Sequence, residues 1–371
     1  MSTMAGMRSL RQILAPIRTR LQAEQVRIPI QTASAVLLAY FATSFMDTED
    51  VSWGVFSALF VVQASIGGTI GAAVGRIAGA VLGAFIAVSL VMLNGSGGGS
   101  TLVSLLVGVA LMSFLTAKWP VLAYGLVTVT VIAVAPGFQV VEGALRKVLA
   151  IAIGSTCGMV AAFAVLPVLA RRTEQEYLAS ALRSCGDYLV ECTTCLVTDK
   201  ECKDRQSQDA ILRAIERARV MAREARIEEK TPAMGFSPFS TTLLSEVERF
   251  AYTLTLVDRF SDVPMSESLC GLNKDQLLEL AEAVKTTLDS IADAVEAGLS
   301  CEPTEDARAA YERFVLRADE CLQHDELSMP DREHLVAIKS AYASVVSNLD
   351  ELARQAQASR RSQSSLLSID H

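Results

Sequence analysis

Arg76-Ile-Ala-Gly79-Ala-Val-Leu-Gly83-Ala-Phe-Ile-Ala87 is a base followed by a run without one polar side chain. Its small residues stand three, seven and eleven places after the arginine, offsets that share one face of a helix. The arrangement recurs at Lys147-Val-Leu-Ala150-Ile-Ala-Ile-Gly154-Ser-Thr-Cys-Gly158. Each stretch reads as a membrane helix that begins at a cation and continues as a groove of small residues, the sort that lets helices pack closely in lipid. Gly67, Gly71 and Gly75 carry the first groove backwards at four-residue intervals. Trp53 precedes the first copy and Trp119 the second, with gaps that differ by five residues. This is the signature of a repeat of three helices plus three. Three is odd, so the second copy runs inverted through the bilayer, an architecture common in transporters.

Working outward, a bilayer core of about 30 Å asks for roughly 20 apolar residues per helix. Apolar runs cover 28–46, 51–65, 76–93, 101–117, 121–135 and 144–169. Between them lie the acidic Asp47-Thr-Glu-Asp50, the flexible Asn94-Gly-Ser-Gly-Gly-Gly-Ser100, Lys118-Trp-Pro120 and Pro136-Gly137. Six spans are expected. Up to Arg172 there are eleven bases and five acids, about +6; the rest of the chain is left with 22 bases and 36 acids, about −14, which together make the −8 of the whole. Basic loops stay inside. Six alternating spans then put both termini and the acidic half in the cytoplasm of an inner-membrane protein. Trp53 and Trp119 suit the interface at span ends.

Beyond residue 172 the periodicity is that of amphipathic helices, with candidates at 173–197, 208–230, 241–260, 274–298, 305–323 and 330–357. Leu277, Leu280, Val284, Leu288 and Ile291 trace one buried face. The fold expected is therefore all-α. An amphipathic cytoplasmic segment (1–27) leads into a six-span transmembrane domain with the inverted repeat (28–172), a cytoplasmic helical bundle (173–358) and a disordered serine-rich tail (359–371). Seven of the eight cysteines fall in the acidic half, where reduced thiols are expected. Cys192-Thr-Thr-Cys195 lacks the second pair or histidine that a metal site needs.

The candidate binding residues are Arg76, Arg146 and Lys147. A charge in a span is costly and usually faces an interior path. Arg146 and Lys147 also lie toward the outer face, where orientation gives them no reason to be. Cations imply an anionic cargo; snorkelling to headgroups is the plainer alternative. Gly75, Gly79, Gly83, Gly154 and Gly158 are candidates for packing or pore lining. Glu142 is the nearest acid to a span and so the sole candidate proton site.

These residues resemble the fusaric acid resistance and aromatic acid exporter family. The resemblance lies in Trp53 with its apolar run, Gln63-Ala-Ser-Ile-Gly-Gly-Thr69, Gly75-Arg-Ile-Ala-Gly79-Ala-Val-Leu-Gly83, Arg146-Lys147 with Gly154, and Pro167-Val-Leu-Ala-Arg-Arg172. Where that family often carries Gly-Thr after its arginine, this chain has Gly79-Ala80. Plant aluminium-activated malate transporters share the general plan. The resemblance implies export of small organic anions, often aromatic carboxylates, from a homodimer in the lipid bilayer.

No GxxxxGK[ST] occurs, so no P-loop drives transport. Nucleic-acid signatures, a cofactor motif, a metal cluster and a nucleophile–base pair are absent as well, and an enzyme is not expected. Two alternatives to an exporter remain at this level. One is an anion channel gated by the cytoplasmic domain; the other is a membrane-anchored interaction module that binds an unidentified cytoplasmic protein.

Overall fold

The computed structural model describes residues 24–45, 51–95, 97–134, 140–198, 205–229, 240–261, 265–297, 305–323 and 327–367. They are helical, with no strand among them. The segment 1–23 and the Asp47–Asp50 loop lie outside the described residues. The chain divides into two compact units, Met1–Ala170 with Glu224–Thr231, and Arg171–Arg223 with Pro232–His371.

The first unit contains α1 (Glu24–Ser44), α2 (Val51–Val61), α3 (Ile66–Asn94), α4 (Gly98–Lys118), a 3-10 turn (Pro120–Leu122), α5 (Tyr124–Val134) and α6 (Val140–Ala164). Four of these, α1, α3, α4 and α6, are long and apolar enough to cross a membrane. Two shorter apolar helices, α2 and the stretch Pro120–Val134, stand in the places of the second and fifth expected spans. Phe45 (88% exposed), Leu93 (81%) and Phe114 (77%) point outward from this unit. So much exposed apolar surface fits a surrounding of lipid, not water.

The packing has a pattern. Helix α3 packs on α5 as α6 packs on α2; α4 packs on α5 and α3 as α1 packs on α2 and α6; and α3 meets α6. The closest approaches fall on glycine. A Cβ added to Gly154 would overlap the carbonyl of Gly54, and one added to Gly83 would stand 2.5 Å from that of Gly125. Likewise a Cβ on Gly54 would lie 3.2 Å from the Ala150 carbonyl, and one on Gly125 2.7 Å from that of Gly79. Here 125 − 54, 154 − 83 and 150 − 79 are all 71, which is also 147 − 76.

Two expectations are corrected in this unit. The third span begins at Ile66, not at 76, because Ser65 caps it by accepting from the Gly68 N–H at 2.9 Å. The glycine passage is thus helix, continuous with the groove that the spacing of Gly67, Gly71 and Gly75 carries backwards. Arg27, assigned to a surface segment, is buried (2% exposed); its Nη2 donates to the Ala64 carbonyl at 2.5 Å.

Helices α7 (Ala170–Thr198), α8 (Arg205–Glu229), α9 (Ser240–Ser261), α10 (Glu267–Ala297), α11 (Glu305–Gln323) and α12 (Met329–Leu367) follow. All six expected amphipathic helices are present. The second unit is built around one apolar core that includes Leu182, Leu189, Phe250, Leu288, Phe314, Ile338 and Tyr342. Ion pairs lace its surface, among them Arg183 with Asp293 (2.6 Å) and Glu296 (2.8 Å), and Lys285 with Asp187 (2.6 Å). Exposed pairs of this kind contribute at most about 1 kcal/mol each. Helix α12 runs on to Leu367, through the serine-rich stretch expected to be disordered. Its Gln, Arg, Ala and Leu residues are good helix formers and offset the serines. Cys157, Cys185, Cys192 and Cys321 are free, whereas Cys195 is in a disulfide, which corrects the expectation of reduced thiols there.

Candidate functional site

Arg76 lies ten residues into α3, on the flank of the face that carries Gly75 and Gly79. Those glycines let the Pro120–Leu122 turn and the start of α5 come close. A Cβ on Gly75 would stand 2.6 Å from the Val121 carbonyl, and one on Gly79 3.0 Å from that of Leu122. The close approach brings Tyr124, the first residue of α5, beneath the arginine. The guanidinium sits 4.2 Å from the Tyr124 ring centre and 5.3 Å from that of Phe60. Its Nη1 donates to the carbonyls of Ser57 (3.2 Å) and Phe56 (3.4 Å) in the middle of α2. Three elements therefore meet at one half-buried cation. Its neighbours are ring faces and neutral carbonyls, and no carboxylate pairs with it among the described residues. A desolvated cation over an aromatic face gains about 2 kcal/mol, which helps to hold the group without neutralising it.

The other two cations are placed differently. Arg146 is exposed and bonded to Glu142 one turn back at 2.6 Å, an i,i+4 pair with both side chains about half exposed. Lys147 is partly buried and makes no ion pair among the described residues. No contact joins Arg76 to either of them. Gly75, Gly79, Gly83, Gly154 and Gly158 all lie at helix contacts; a Cβ on Gly158 would be 3.0 Å from the Val61 side chain. Glu142, the proposed proton site, has Arg146 as its partner.

Sequence reasoning missed the rings. Tyr124 passed as one more apolar residue of the fifth run, although it stands 71 residues after Trp53, the same offset that separates Lys147 from Arg76. It also missed a buried polar contact between α2 and α6, where Ser57 and Ser155 share a hydrogen bond of 2.7 Å. No metal-binding group of His, Cys, Asp or Glu is found among the described residues.

The apolar helices and the outward-facing phenylalanines and leucines fit a multi-pass membrane protein. The resemblance read from the residues holds: the fusaric acid resistance protein-like family model matches residues 37–161, a stretch wholly within the membrane unit. Members of that family are membrane transporters rather than enzymes. No curated protein matches the chain.

Proposed function

We propose that this protein exports small organic anions, aromatic carboxylates among them, across the inner membrane, with Arg76 as the principal contact for the carboxylate. The observation that carries this reading is the Arg76 guanidinium itself, kept half-buried in an apolar unit between two rings with no carboxylate beside it. A charge in a membrane span is costly, and an anionic cargo supplies the missing counter-charge. The rings of Tyr124 and Phe60 offer a flat apolar surface to an aromatic acid. Lys147 is the second contact, and Arg146, already paired with Glu142, ranks behind it.

An inverted repeat belongs to this reading, and the glycine contacts support it. The shared offset of 71 relates Gly54 to Gly125, Arg76 to Lys147 and Gly83 to Gly154, so that both halves present a base beside a glycine crossing. Substrate paths of inverted repeats lie between the copies. In this reading all six apolar helices cross or enter the bilayer, the basic loops and both termini are cytoplasmic, and two copies associate as a dimer. One feature favours a channel-like variant of the same conduit: within the six membrane helices the acids are Glu24 and Glu142, both near helix starts, which leaves few groups to carry a coupled proton.

The test is uptake of labelled hydroxybenzoate and malate into proteoliposomes by the wild type, Arg76→Ala and Lys147→Ala. Arg76→Ala is expected to abolish flux, and Lys147→Ala to lower it at least tenfold, with both proteins monodisperse. Equal flux in all three would refute the assignment.

A further inference from the structure

The membrane unit includes one segment from far along the chain, Glu224–Thr231. Its residues to Glu229 are the last turn and a half of α8, whose earlier residues, to Arg223, count with the other unit. Two carboxylates of this segment hold the start of α3. Ser65, the N-cap, donates its hydroxyl to Glu224 Oε2 at 2.5 Å. The Gly67 N–H donates to Glu228 Oε1 at 2.8 Å. The same Glu228 carboxylate accepts from the N–H of Ala170, the first residue of α7, at 2.9 Å and 3.2 Å. Glu228 is 2% exposed. One buried carboxylate thus bridges the first turns of two helices, where N–H groups lack intrahelical partners and the dipole favours negative charge.

The glycines are shaped to this segment. A Cβ on Gly67 would overlap the Glu224 carbonyl, one on Gly68 would stand 3.0 Å from the Glu224 carboxyl, and one on Gly71 3.1 Å from Ile227 Cδ1. The four-residue glycine series along α3 therefore has two tenants. Gly75, Gly79 and Gly83 receive the Pro120–Leu122 turn and α5, while Gly67 and Gly71 receive the segment 224–229.

We propose that the segment 224–229 is a releasable strap that holds α3 in its resting position and restrains anion passage, the Glu228 carboxylate being its clasp. The inference rests on the transport reading above. The clasp is polar: its bonds replace bonds to water, so it opens at much less cost than an apolar seam. The helix it holds carries Arg76 nine residues beyond Gly67, and a shift at the N-terminus of a rigid helix moves the guanidinium against Tyr124. The strap is continuous with α8, so displacement of that helix along its axis pulls on Glu224 and Glu228 directly.

The experiment uses the full chain in proteoliposomes, with labelled hydroxybenzoate uptake as the readout. Gly67→Ala, which pushes the strap away without removing a charge, and Glu228→Ala are expected to raise uptake severalfold. Gly68→Cys with Glu224→Cys, in a background freed of reactive native thiols, is then bridged by a reducible bis-methanethiosulfonate. Bridging is expected to lower uptake at least fivefold, with recovery on reduction and no effect on either single-cysteine protein. This arm stands even where Glu228→Ala fails to fold. Uptake by the wild type that bridging leaves unchanged overturns the strap while the transport reading survives. A wild type that carries nothing overturns the transport reading, and the strap's control of passage with it.

Discussion

At the scale of single residues, glycine decides more than charge. The crossing of α2 on α6 admits no side chain at Gly154, since its Cβ would overlap the Gly54 carbonyl. Overpacking against backbone costs about 1–3 kcal/mol. Gly154→Ala should therefore lower the midpoint of thermal unfolding in detergent by several degrees. Gly143→Ala, on the same helix with nothing within 4 Å, should leave it unchanged or raise it. His334 gives a pH signature in the other unit. Burial pulls its imidazole below the usual range, with Asp331 opposing, and its ring lies 6.2 Å from that of Phe260. The unfolded chain takes up a proton near pH 6.5, while the folded one holds the ring neutral to lower pH. The contribution to stability is therefore complete above about pH 6.5 and is lost as pH falls toward the folded value. Unfolding midpoints between pH 7.5 and 5 should fall less steeply for His334→Phe than for the wild type. Burial also pushes the thiols of Cys185 and Cys192 up to about 12. Iodoacetamide at pH 8 should label neither until the chain unfolds, because the thiolate is the nucleophile. Labelling of either in the folded protein would show that the core is open.

At the scale of elements, the amphipathic helices were legible because each buries one periodic face, and the apolar runs because lipid demands length. Starts and ends were not. Arg76 looked like the beginning of a span, since a base commonly marks the membrane surface. The helix instead starts at Ile66, with the base inside it and its charge supported by Tyr124 and Phe60. The four-residue spacing of Gly67, Gly71 and Gly75 marked them as a continuation of the groove, but not what fills it. Here their missing side chains are what neighbouring segments require. The small-residue spacing suggested a repeat in which Trp119 answers Trp53, whereas the offset of 71 shared by the glycine contacts would set Tyr124 against Trp53. An interfacial tryptophan can sit anywhere near a span end, while a crossing glycine has only one place. Ser65→Ala should cost about 1 kcal/mol as a lost N-cap, and more through the bond to Glu224, read as a lower unfolding midpoint. An unchanged midpoint would mean that the start of α3 is held by other contacts.

At the scale of the molecule, the change of charge falls at residue 172 in the sequence, and the first break between the two compact units falls after Ala170. The charge does not anticipate that Glu224–Thr231 belongs to the first unit. In sequence Glu224 and Glu228 are two more acids on an acidic helix, and nothing local separates a buried clasp from a solvated face. The site is legible only in part for the same reason. Charges in apolar runs stand out, but the rings and the carboxylates that set their surroundings come from elsewhere in the chain. The central claim is that the membrane unit conducts organic anions past Arg76. Its most direct test is uptake of labelled hydroxybenzoate by proteoliposomes with the potential set by potassium and valinomycin. The account predicts saturable uptake that rises when the interior is made positive and disappears in Arg76→Ala. No uptake by well-folded wild-type protein at any potential, across a panel of small carboxylates, would contradict it.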